Sequence, residues 1–406
     1  MRISRGTVLL ALASLLASSC AGIGSADEAG GTTPAKEDQS AGPSPVSTVA
    51  PGAPSRIQTP PDVDLSRHSV PLEEVYFDTF DGEAVPLSES TVELRRRLLD
   101  AIPPIDQPVY GDASAGSWLL PVDLVVGYSA DDQAFAFPFK ILNFHEIVND
   151  ELGGLPVLIS YCPLCRSAVV YDRRVDGQVL SFGNTSALYE SDLVMVDRAT
   201  GSYWWQVAGT AIVGPLTGTR LEPLPSLVTT WADWVDRHPE TQILSRETGF
   251  DRPYEIDSFV DYVDFLDSGR FPFPVGEASR DPRLGGSVLV VGVTIDGVTR
   301  AYPIDRLTDP INDVIGEVPI VVFPTEVGGE VFEATIGDEL LEFRREGDAI
   351  VDASSGSRWV GGVAVAGARF GTALKAVPSR TAFWFSIAGA FPNLELYEEE
   401  NPAPRQ

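Results

Sequence analysis

From Trp118 onward, short apolar runs alternate with Gly, Pro and Asp, the pattern of strands joined by tight turns. The runs 155–161 and 168–171 are apolar but for Ser160 and flank Cys162-Pro163-Leu164-Cys165-Arg166. That arrangement predicts two buried strands with a Cys-x-x-Cys knuckle between them. Helical spacing is rarer. Leu94, Leu98 and Leu99 predict a helix over 88–102, starting at Ser88 or Ser90 and stopped by Pro103-Pro104. A short helix over 231–237 has Thr230 as its cap, Asp233 three residues on and Pro239 as its stop. Another begins at Ser379 or Thr381 and stops at Pro392.

The pattern restarts. Val126-Gly127 is answered by Val291-Gly292, Phe137-Pro138 by Tyr302-Pro303, and Asn149-Asp150 by Asn312-Asp313. Asp197 then matches Asp352, Trp204 matches Trp359, and Trp231 matches Trp384. An ordered series of this kind is the mark of an internal repeat. The expected fold is β-rich α+β: two tandem degenerate repeats of a mainly antiparallel β unit, packed face to face, each ending in a short helix. The repeats are placed at 127–246 and 292–398, with an N-terminal helix and lead-in over 67–126. An acidic connector, 247–291, joins them, and a short tail, 399–406, follows.

The first 20 residues read as a targeting signal. Arg2 and Arg5 precede an apolar core over 8–17, and small residues precede Cys20, as in a bacterial lipoprotein signal in which Cys20 is lipidated. Residues 21–66, rich in Gly, Ser, Thr, Pro and Ala, read as a flexible tether. These features predict an exported protein, lipid-anchored at a membrane through Cys20 or otherwise secreted. In the connector, Asp257, Asp261, Asp264 and Asp267 follow a helical period and read as a solvated helix face rather than a calcium loop.

Charge narrows the function. A formal net charge of −29 over 406 residues excludes nucleic-acid or anionic-surface binding by charge. No nucleophile elbow and no Gly-rich phosphate loop is present. The chemistry that remains rests on soft ligands, which are scarce. Beyond Cys20 the chain has Cys162, Cys165, one methionine (Met195) and three histidines (His68, His145, His238). The repeat serves as an internal control. Thr325 and Gly328 stand opposite the two cysteines, Ile350 stands opposite Met195, and His145 falls in a shortened stretch between Thr308 and Asp309.

Three readings of the cysteine pair stand open. As a metal knuckle, Cys162 and Cys165 with His145, and Met195 as an axial ligand, form a set that favours copper, Cu(I) above all. As a thiol-redox pair, the motif would ordinarily open a helix, whereas here a strand follows. As a structural disulfide, the pair would close a tight turn. Glu146, Arg198 and Gln206 are candidates to orient the ligands or line the pocket. Asp197 and Trp204 recur in the repeat and are assigned to the fold.

The runs His145-Glu146-Ile147-Val148-Asn149-Asp150, Tyr161-Cys162-Pro163-Leu164-Cys165 and 191–198 resemble a large bacterial family, the domain of unknown function numbered 3179. The resemblance covers most of the folded chain, excepting 247–285, and implies an exported or membrane-associated protein without an assigned activity. The family often carries Gly after the second cysteine, where the turn needs positive φ. Arg166 stands there in this chain. The expected function is therefore metal binding, copper first, or thiol redox chemistry outside the cytoplasm. The alternative is a non-catalytic cell-surface binding module with a Cys162–Cys165 disulfide.

Overall fold

A computed structural model describes residues 58–130, 132–256, 259 and 262–398. The signal, Cys20, the tether up to residue 57 and the tail 399–406 lie outside the described residues, as do Asp257 and Asp261. The fold is β-rich with few, short helices, and most strand pairs are antiparallel.

The first half opens with a hairpin, Leu124–Ala130 with Gln133–Pro138. The helix Phe139–His145 follows. A three-stranded meander comes next, Ile147–Leu152, Leu155–Cys162 and Ser167–Asp172. The strands Phe182–Tyr189, Asp192–Asp197, Tyr203–Trp205 and Thr210–Val213 form a second meander. Leu227–Thr230 then returns to pair with the opening hairpin. The helix Trp231–Arg237 follows, its first turn closed by Asp233 N–H donating to Thr230 Oγ1. A last strand, Gln242–Leu244, adds parallel to Gln133–Pro138.

The second half pairs its strands in the same order. Leu289–Ile295 and Val298–Pro303 form the hairpin. The first meander is Ile311–Ile315, Val318–Pro324 and Gly329–Glu333. The second is Phe343–Glu346, Ala349–Asp352, Arg358–Val360 and Val363–Ala366. Ser379–Phe383 returns to the hairpin, the helix Trp384–Ala390 follows, and Glu395–Leu396 adds in parallel.

Matching side chains hold matching turns. Trp204 Nε1–H donates to Asp197 Oδ2 at 3.0 Å, and Trp359 Nε1–H to Asp352 Oδ2 at 3.0 Å. Asn149 exchanges two 2.8 Å bonds with the backbone of Phe182, and Asn312 does the same with Phe343. Gly214 and Gly367, at φ 104° and 95°, sit against the Cα of Ser202 and Ser357, where a Cβ would lie within 2.8 Å and 2.7 Å.

Three expectations change. The early helix is Val92–Leu98, capped by Thr91, because residues 87–89 form a 3₁₀ turn after Pro86. The stretch 379–383 is a strand rather than the start of a helix, since its backbone pairs with Leu289–Ile295. Each short helix is followed by a further strand. The halves also join edge to edge: Ser379–Phe383 bonds to Ser167–Asp172, so hairpin and meander from different halves share one sheet.

Candidate metal centre

The knuckle is the turn of the hairpin Leu155–Cys162 and Ser167–Asp172, with Cys162 opposite Ser167. Cys165 N–H donates to Cys162 O at 3.3 Å, and Arg166 N–H to Pro163 O at 3.4 Å. Arg166 has φ 49°, so the turn does take the left-handed conformation that glycine favours, with a side chain present. Gln206 braces the hairpin from behind. Its side chain accepts from Ser167 Oγ at 2.7 Å and donates to Ser160 Oγ at 2.9 Å. Phe383 N–H of the second half donates to Cys165 O at 2.9 Å.

Both thiols are buried and free, so the disulfide expectation is corrected. Cys165 Sγ–H instead donates to Ser191 O at 3.3 Å. Cys162, Cys165 and Asp192 bring one ligand atom each to within 4.8 Å of the others. Asp192 opens the strand Asp192–Asp197, behind Glu190 and Ser191 at φ 52° and 58°. Two successive left-handed residues turn the chain sharply and direct Asp192 inward, where it is fully buried. Val207 N–H donates to its Oδ2 at 2.9 Å. Its Oδ1 has no nitrogen or oxygen hydrogen-bond partner among the described residues.

Two further hydroxyls complete the surroundings. Tyr262, in the connector helix Tyr262–Asp267, is buried, and its hydroxyl has no hydrogen-bond partner among the described residues. Burial raises its pKa, and the two thiols add to the rise. Ser386, in the helix Trp384–Ala390, has a buried hydroxyl that pulls against the rise at Cys165 through its side-chain interaction with the thiol. The connector therefore covers the site with Tyr262, Leu266 and Phe271, while Asp264 and Asp267 face outward. The solvated face was legible in the sequence; the apolar face was not recognised.

Burial dominates the electrostatics. It pushes the Cys162 thiol up and the Cys165 thiol well up. It raises Asp192 to about 6, against the Val207 N–H and the thiols, which favour the charged form. It raises Glu146 to about 8, against a 2.7 Å bond from Asn184 Nδ2–H. Neutral thiols are poor nucleophiles and poor ligands until a cation displaces their protons.

His145 does not join the group. Burial lowers its pKa to about 4, so the ring is neutral. Nδ1 lies 2.7 Å from Pro103 O, a pure acceptor, so Nδ1 carries the proton. Nε2, 2.7 Å from Tyr254 Oη, accepts from that hydroxyl. Its lone pair is used, which removes it from the expected ligand set. Met195 is fully buried in the same apolar cluster as both cysteines. Glu146 lies beside the site and lines a cavity with Cys162. Arg198 is drawn elsewhere, pairing with Asp100 at 2.8 Å. Sequence reasoning missed Asp192, Tyr262 and Ser386. The repeat offset that sets Asp352 opposite Asp197 sets Gly347 opposite Asp192, a signal of the same kind as the lost cysteines.

The chain belongs to the family described as Protein of unknown function (DUF3179), whose match spans residues 99–394 and includes the connector. No curated protein and no solved structure matches it. Among the described residues, no helix is long and apolar enough to cross a membrane.

Proposed function

We propose that Cys162, Cys165 and Asp192 bind a transition-metal ion, and that the protein is an extracytoplasmic metal-binding protein held at a membrane through lipidated Cys20. One observation carries this reading. Two free, buried thiols are gathered with a buried carboxylate, and Asp192 Oδ1, Tyr262 Oη and Ser386 Oγ have no nitrogen or oxygen hydrogen-bond partner among the described residues. Buried polar atoms are rarely left unpaired, and a cation would engage the carboxylate and both sulfurs.

The donor set shifts the choice of metal. Copper was expected from sulfur and imidazole. With His145 engaged and a carboxylate in its place, a borderline divalent ion such as Zn²⁺ is the better fit, and Cu(I) is its competitor. Three protein donors are the number found in zinc sites that keep a position open for chemistry. The thiol-redox reading is weaker, because that chemistry needs an accessible thiolate. We also infer that the two halves are copies of one unit, of which only the first kept the donors; the matched strand order and the paired Asp–Trp and Asn bonds support this.

Metal analysis of the full chain tests the site. We expect about one equivalent of metal in the wild type and near zero in Cys162→Ser/Cys165→Ser, with Asp192→Asn strongly weakened. His145→Ala should keep the metal. Equal content in wild type and the double variant would end the proposal. Zn²⁺ and Cu(I) competition against the apo protein decides between the two ions.

A further inference from the structure

Beside the donor group lies a cavity of about 40 Å³, bounded by Asp78, Glu146, Cys162, Leu164, Asn184 and Phe259 among others. Cys162 belongs both to its wall and to the donor group, so the cavity abuts the proposed metal. The wall is mostly apolar, with two carboxylates and no Lys, Arg or His among its described residues. Both carboxylates are engaged by the protein: Glu146 accepts from Asn184 Nδ2–H at 2.7 Å, and Asp78 from Phe80 N–H at 2.8 Å.

Resting on the metal reading above, we propose that this cavity is the binding pocket for a small neutral molecule that coordinates the metal. The volume admits a molecule of about three heavy atoms, since one water-sized centre needs on the order of 10–15 Å³. Anions are disfavoured because two thiolates and the Asp192 carboxylate already outweigh the charge of a divalent ion, and the wall adds no cationic side chain. Small hydrated cations are rejected because apolar walls replace none of the water they lose. Asn184 links two left-handed residues of this wall, donating to Glu146 and accepting from Ser186 N–H at 2.7 Å, and both residues hold φ 57°.

Cobalt-loaded full-length protein provides the test, with two linear three-atom probes of different charge: methyl isocyanide, which is neutral, and azide, which is anionic. The thiolate-to-cobalt charge-transfer band reports the metal site, and the cobalt visible bands report a new ligand. We expect methyl isocyanide to shift the visible bands and azide to need at least about tenfold more. Leu164→Trp, which fills the half-buried wall and replaces no donor, should keep the charge-transfer band and weaken methyl isocyanide by at least about tenfold. Leu188→Trp is a second filling variant should the first not fold. A charge-transfer band with no probe response, equal response to both probes, or an unchanged response in both folded filling variants would overturn the pocket alone. Absence of the charge-transfer band in wild type would overturn the metal reading and the pocket with it.

Discussion

The second meander of each half has the same strands and the same Asp–Trp lock, yet one is covered on both faces and the other on one. In the first half, Phe182, Leu193, Met195 and Trp204 face the cysteines. Val194, Val196, Tyr203 and Trp205 face a second core built by Val63, Phe77, Leu87 and Leu98 of the lead-in. The lead-in also adds two strands, Val75–Asp78 and Ala84–Pro86, to that sheet. In the second half, Phe343, Trp359 and Ala364 pack inward, while Arg358, Val360, Val363 and Val365 stay exposed. The difference teaches what sets the half with the cysteines apart: a dry interior around Cys162, Cys165 and Asp192. Water exclusion strengthens every charge interaction at Asp192 and keeps both thiols protonated.

Shared architecture can be broken first. Trp204→Ala and Trp359→Ala each remove a fully buried indole, and we expect each to cost about 3–5 kcal/mol in denaturant unfolding. If only the first were costly, the two locks would not be equivalent. The next test concerns a group that the first half alone buries. Glu146 has its pKa raised from 4.5 to about 8, so the folded state holds its proton more tightly than the unfolded chain. Its stabilisation is complete below the unfolded value and is lost as pH rises through the folded value. The stability difference between metal-free wild type and Glu146→Gln should therefore fall steadily from pH about 5 to about 8. A flat difference would show that Glu146 is solvated.

Smaller effects sharpen the contrast in covering. Asn149 is buried and Asn312 is exposed, though their bonds match. Asn149→Ala should cost about 1–3 kcal/mol, because the Phe182 groups stay unpaired in a dry site. Asn312→Ala should cost about 0.5–1 kcal/mol, because removing an exposed side chain lets water replace its bonds to the Phe343 backbone. Equal costs would refute the covering argument. Least of all, Thr325 stands where Cys162 stands in the first half, and its buried hydroxyl has no partner. Thr325→Val should be neutral or stabilising by up to about 1 kcal/mol, and any metal bound should be unaffected.

Much of this was legible in the chain. Apolar runs on both sides of Cys162-Pro163-Leu164-Cys165 specified the hairpin, because strands buried on both faces lose their alternation. Trp204 and Asp197 were correctly placed in the fold because they recur. What failed was direction. His145 is a good ligand by type, but its ring orientation depends on Pro103 and Tyr254, which are far away in sequence. Asp192 was hidden because two left-handed residues precede it, and period-2 reasoning begins only after them. Tyr262 was hidden because the acidic residues around it set the reading of its whole segment.

The bond from Phe383 N–H to Cys165 O joins residues separated by more than half the chain. Closing so long a loop is entropically slow, and no local contact rewards it early. The knuckle therefore reaches its final form only after the last strands have been made and have found their place. Until then Cys165 O has no partner on that edge, so the completion of the knuckle is set at the far end of the chain.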